Sequence, residues 1–146
     1  MNPEFRELRL NQMDRSLVPF AGTPSVSPPQ RGWLRAVREA LGITIREIGR
    51  KMSKTPQTVA SFEKSEAANR ITLQTLQHYA EAMDCQLVYA IVPQTGSLRQ
   101  LAEKRARQKA EKEVRAVEHT MELEDQATTE IQDKIDRETK RILKKR

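Results

Sequence analysis

Gln57, Thr58 and Ser61 lie in the stretch GITIREIGRKMSKTPQTVASFE, Gly42 to Glu63, at spacings of three and four residues that bring them onto one face of a helix. A glutamine amide holds a donor and an acceptor side by side and matches the adenine edge in a bidentate pair. Threonine and serine hydroxyls reach base edges, and the threonine methyl packs on that of thymine. None of the three is needed for a core, because Val59 and Phe62 form the inward pair. Around them Thr44, Arg46, Arg50, Lys54, Thr55 and Lys64 supply hydroxyls and cations of the kind that hold phosphate oxygens. The chemistry implied is readout of duplex DNA, with bases read by the first set and the backbone held by the second. The bland alternative is a polar surface helix of an all-α domain, since helix cations are often merely solvated.

Two short helices and a tight turn must position these groups. Thr44 can cap the first helix while Glu47 reaches back to its backbone, a capping box. Ile48 and Met52 supply the buried stripe. Ser53 and Lys54 end that helix, and Thr55 with Pro56 starts the next, since proline has no N–H to lose at the first helical position. Gly49 falls mid-helix, where glycine costs about 1 kcal/mol relative to alanine, so a close crossing by a second helix is expected there. These are the parts of a helix-turn-helix, whose second helix enters the major groove.

The composition excludes more than it identifies. With 146 residues, 4% aromatic and 32% charged, the chain holds one small core plus helical or tail-like extensions. A net charge of +6 suits a polyanionic partner. Cys85 is the single cysteine, so no internal disulfide or cysteine cluster forms, in keeping with a reducing cytoplasm. His78 and His119 stand apart from any cysteine or paired carboxylate at ligand spacing, so neither a metal nor another cofactor is expected. Cys85 and Trp33 are expected to pack and not to react or stack. No glycine-rich phosphate loop, nucleophile elbow or HExxH-type motif occurs, which points to a binding protein with no small-molecule substrate and no enzymatic activity. The lack of any long apolar run predicts no membrane association and a cytoplasmic location.

Along the chain, residues 1–18 read as an N-terminal helical arm with Phe5, Leu8, Leu10, Met13 and Leu17 on one side. Residues 19–31 read as a linker rich in Pro, Ser and Gly, which tethers that arm. Residues 32–93 read as the DNA-binding and dimerisation domain. Its first helix, Gly32 to Leu41, carries Trp33, Leu34, Val37 and Leu41. After a polar loop from Lys64 to Arg70, Thr72 caps a helix with Leu73, Leu76, Ala80 and Met83 inward. The period then changes. QLVYAIVP, Gln86 to Pro93, is a continuous apolar run expected to form a strand through Leu87, Val88, Tyr89, Ala90 and Ile91. With no second strand evident, its simplest partner is the same strand of another copy, giving an antiparallel ribbon and a twofold dimer on an inverted repeat. Half of residues 97–146 are charged and none is proline or glycine, so this tail is helical. Ala110, Val114, Val117, Met121, Ile131, Ile135 and Ile142 follow a four-three register interrupted by Glu124, Thr128 and Glu138, consistent with one kinked helix or two consecutive helices.

Residues 32–93 resemble the Xre/Cro-type helix-turn-helix proteins, and more narrowly the HipB-type antitoxins, through TPQTVASFEKSEAANRITLQTL and the apolar run after it. RGWLRAVREALG, DCQLVYAIVP and VEHTMELEDQA extend a resemblance over nearly the whole chain to the family called mobile mystery protein A. The resemblance implies a mainly α, lambda-repressor-like bundle with one dimer-ribbon strand and a helical tail. It also implies a repressor that acts as the antitoxin of a Fic-domain toxin bound through that tail. Thr120 and Glu124 match the S/T-x-x-x-E part of the Fic inhibitory motif, while Asp125 stands where glycine or asparagine is usual. A stand-alone Xre regulator, or a HipB-like antitoxin of another toxin class, remains the alternative. Pro56 and Gly49 depart from the residues common at those positions in the family.

Overall fold

The computed structural model describes residues 2–119 and 128–145. Among these residues seven α-helices follow one another: α1 Pro3–Leu17, α2 Trp33–Ala40, α3 Ile45–Met52, α4 Pro56–Ala67, α5 Leu73–Ala82, α6 Leu98–His119 and α7 Thr128–Lys145. They belong to two compact units, one of residues 25–89 and one that joins residues 1–24 to 90–146. No helix among the described residues is long and apolar enough to cross a membrane.

In the unit of residues 25–89, α3 packs on α4 and α5, and α2 packs on the same two helices. Leu34, Ile48, Val59, Tyr79, Ala82 and Met83 form the core, with Val37, Met52, Phe62 and Leu76 among the half-buried side chains around it. The inward pattern read from sequence holds at Leu34, Ile48 and Val59. It fails at Trp33 on α2, at Leu41 just after it and at Leu73 on α5, which are about half exposed. Arg38 and Tyr79 take inward places instead. The polar loop expected from Lys64 is also shorter than read, because α4 continues to Ala67. The turn after it is closed by Arg70 N–H donating to the Ser65 carbonyl and by Asn69 in the left-handed region.

The strand expected over Gln86 to Pro93 is not formed. Residues 85–93 have no regular secondary structure, and no strand occurs among the described residues. The reason is physical: a strand exists only as half of a ladder, and no other segment among the described residues pairs with this one. Its side chains are left open, with Val88 65%, Tyr89 69% and Ile91 89% exposed.

In the other unit, α6 and α7 pack on each other through Ala106, Ala110, Ile135 and Ile142, flanked by Val114, Ile131 and Leu143. Of the two arrangements the register permitted, two consecutive helices is the one observed; Met121, Glu124 and the matched Thr120 lie outside the described residues. The first helix is more than a tethered arm. The Asp14 carboxylate of α1 accepts from the Leu98 and Arg99 backbone N–H groups at 2.7 and 3.2 Å, capping α6 from another part of the chain. Arg99 returns the contact by donating to Asn11 and Glu7. Along the chain between α1 and α2, the stretch expected as a linker, residues 19–31, holds only a short 3-10 turn at Thr23–Ser25 and most of another at Val18–Phe20.

Candidate nucleic-acid interface

Helix α3 begins as its sequence suggests. The Thr44 hydroxyl accepts from Glu47 N–H at 3.2 Å, and Glu47 Oε2 accepts from Thr44 N–H at 2.6 Å. That backbone donor, together with the Thr44 hydroxyl, holds the Glu47 carboxyl below the usual carboxylate range. The helix ends at Ser53, whose φ of 55° lies in the left-handed region, and Lys54 N–H donates back to the Gly49 carbonyl at 2.8 Å.

Gly49 is required by this turn. A Cβ there would stand 2.6 Å from the Lys54 carbonyl oxygen, with Val59 Cγ2 of α4 next at 3.7 Å. The close crossing by a second helix expected here is therefore not what requires the glycine: α4 comes only to ordinary van der Waals distance, and the tight approach is made by the backbone of the turn. This tight connection fixes the offset between α3 and α4.

Helix α4 starts at Thr55, whose hydroxyl accepts from Thr58 N–H at 3.2 Å, with Pro56 in the first turn. Gln57 and Ser61 are exposed one turn apart, while Thr58 is half-buried with its hydroxyl 2.9 Å from that of Thr55. The structure thus brings Gln57 and Ser61 together as a free polar stripe that Lys64 continues toward the end of the helix. Thr58 sits at its edge, with its hydroxyl shared with the cap. Arg46 and Arg50 are exposed one turn apart on α3, and Lys54 is exposed in the turn. Among the described residues Arg46, Arg50, Lys54 and Lys64 form no ion pair, in contrast to Lys51, which lies 3.9 Å from Asp84. Thr44 and Thr55 are exposed, but both hydroxyls already serve helix caps.

Sequence reasoning missed what anchors α4 from behind. Glu63, on its inward side, is buried and accepts from Arg38 Nε at 2.6 Å, from Arg38 Nη2 at 3.3 Å and from the Tyr79 hydroxyl at 2.5 Å. Arg38 Nη1 also donates to the Ile43 carbonyl at 3.0 Å. One carboxylate thereby joins α2, α4 and α5, and each of its two oxygens has a donor. The Arg38 guanidinium is held above its ordinary range by Glu63, and burial followed by the bond to Glu63 pushes the Tyr79 hydroxyl up, so that it stays a donor. A turn further along, Glu66 accepts from Trp33 N–H at 2.7 Å and Leu34 N–H at 2.9 Å, capping α2. Gly32, at φ 89°, admits that carboxylate to the open end of the helix. A signal for both existed in the sequence: Val59, Phe62, Glu63 and Glu66 share one face, and a carboxylate on an inward face calls for a donor.

A short helix, a tight turn with a left-handed residue, and a second helix that is capped, braced from behind and polar in front together define a helix-turn-helix DNA-binding unit. Residues 34–89 match the family model described as Helix-turn-helix, which makes this part of the chain an Xre-like helix-turn-helix domain of the kind used for sequence-specific DNA binding. No curated protein and no solved structure matches the chain. Among the described residues there is no group of His, Cys, Asp and Glu able to hold a metal ion.

Proposed function

We propose that this protein is a sequence-specific DNA-binding regulator that acts without catalysis, reading bases with Gln57, Thr58 and Ser61 and holding phosphates with Thr44, Arg46, Arg50, Lys54, Thr55 and Lys64. The observation that carries this reading is the exposed Gln57 and Ser61 pair at the start of α4, flanked by cations without internal partners. The test compares Gln57→Ala with Lys54→Ala on a selected site and on random DNA. Gln57→Ala should cost roughly 1–3 kcal/mol on the site alone and relax one base position, whereas Lys54→Ala should weaken both alike and reduce the salt slope by about 1. Equal losses on both DNAs for both variants would refute the assignment.

The unpaired run from Leu87 to Ile91 supports a finer reading, in which two copies pair as a ribbon and hold an inverted repeat with half-sites about one helical turn apart. The resemblance to mobile mystery protein A adds an antitoxin role toward a Fic-domain toxin, with Thr120 and Glu124 in the inhibitory element. That role is tested by AMP transfer by a Fic-domain protein, should one be encoded beside this chain, with wild type or Glu124→Gly added. Inhibition by wild type and its loss in the variant are expected; unchanged inhibition by the variant removes Glu124 from the mechanism.

A further inference from the structure

Within the unit that joins residues 1–24 to 90–146, a groove of about 240 Å³ runs between α1, α6 and α7. Its floor is apolar, made by Leu10, Leu98, Leu101, Ile142 and Leu143, and Leu101 is 38% exposed. Its polar lining consists of Arg6, Arg105 and Lys109, with no carboxylate among the lining residues. Arg6 and Arg105 form no ion pair among the described residues, and Lys109 reaches only Glu113, at 4.0 Å. A second groove on α6 and α7 makes the contrast: there Glu113 and Glu138 line the same space as Lys134, Arg137 and Arg141, and Glu138 is bonded to Arg141, so its charges are largely met from within.

We propose that the groove between α1, α6 and α7 docks an acidic amphipathic helix of a partner protein. Apolar side chains of that helix would cover the leucine floor while its carboxylates met Arg6, Arg105 and Lys109. The α6 residues along the groove, from Leu98 to Lys109, extend about 16 Å, room for three turns of such a helix. Charge argues against the other occupants. A second copy would bring another chain of net charge +6, and duplex DNA would leave the leucine floor without an apolar partner. The proposal is independent of the DNA-binding reading and of which protein supplies the helix.

The probe is a fluorescent 15-residue helical peptide with leucine at helical spacing and glutamate elsewhere, titrated with the full chain beside an otherwise identical peptide with lysine in place of glutamate. The acidic peptide should bind and the basic one should not. Arg105→Glu with Lys109→Glu should weaken binding by about tenfold or more, since two attractions become repulsions. Lys104→Glu with Lys112→Glu, equal in charge but outside the groove, should leave it within about twofold. Leu101→Ser should weaken it with every cation intact. Equal binding of the two peptides, equal loss in the two charge-reversed proteins, or a groove variant that shifts the chain from dimer to monomer in sedimentation would each overturn the proposal. Operator affinity measured on the same proteins should be unchanged, which separates failure here from failure of the helix-turn-helix reading.

Discussion

Replacing Arg38 with methionine tests whether the recognition helix is held by its buried carboxylate. The side chains of Arg38 and Glu63 are only 10% and 7% exposed, so water cannot take over the lost hydrogen bonds. Methionine fills much of the arginine stem but removes both guanidinium donors to Glu63 and the one to the Ile43 carbonyl, leaving Glu63 with Tyr79 alone. Breaking a buried pair from one side costs about 3–5 kcal/mol. A domain the size of residues 25–89 is worth roughly 3–10 kcal/mol in all, so the variant should lose from about a third to all of that stability. Tyr79→Phe deletes a single bond to a charged acceptor and should cost about 1.5–3 kcal/mol. Urea unfolding followed by circular dichroism at pH 7 gives these values directly. The decisive comparison is Arg38→Met with Glu63→Leu. Removing both charges should recover part of the loss, because the stranded carboxylate is gone, while the buried Tyr79 hydroxyl, left without its acceptor, keeps the rest. If Arg38→Met costs under about 1 kcal/mol, or the double variant is simply additive, the network does not brace α4.

Gly49→Ala gains about 1 kcal/mol in helix propensity, yet it places a Cβ 2.6 Å from the Lys54 carbonyl oxygen; a net loss of roughly 1–3 kcal/mol is expected, read as a lower urea midpoint, together with weaker operator binding as the turn is forced open. Tyr89→Pro should leave the thermal unfolding of the helical domain nearly unchanged, since Tyr89 lies outside its core, while sedimentation shifts from dimer to monomer and operator affinity falls; a fully dimeric Tyr89→Pro protein would place the dimer contact elsewhere. Glu47 has its carboxyl lowered in the folded state, so its contribution to stability is fully present above the unfolded value near about 4.3 and is lost as pH falls through the folded value; Glu47→Gln should flatten the acid side of a stability profile measured between pH 6 and 3 and match wild type's slope above it.

What could be read from the sequence was local. The caps at Thr44, Thr55 and Thr72 lie within three residues of their partners and came out where the pattern put them, and Gly49 marked a tight approach before any neighbour was known. The partners of Glu63 and Glu66 are 16 to 33 residues away, and nothing in helical periodicity names a residue at that distance. The inward carboxylates announced that donors were needed, but not that Arg38 and Tyr79 would supply them. Periodicity erred in the same place for the same reason: Trp33 and Leu41 have the apolarity expected of core residues, yet α2 turns Leu34 and Arg38 inward, where Arg38 meets the buried Glu63 carboxylate. The Asp14 cap of α6 lies across 84 residues of chain and was invisible for the same cause. The apolar run at Leu87 to Ile91 is a different kind of case. Its β-rich composition was legible, but strand formation is a property of two segments, and no second one pairs with it among the described residues. Its exposed Val88, Tyr89 and Ile91 carry the same kind of demand that the buried carboxylates carried within the domain: a side chain out of keeping with its surroundings asks for a partner, and the proposed ribbon would supply one.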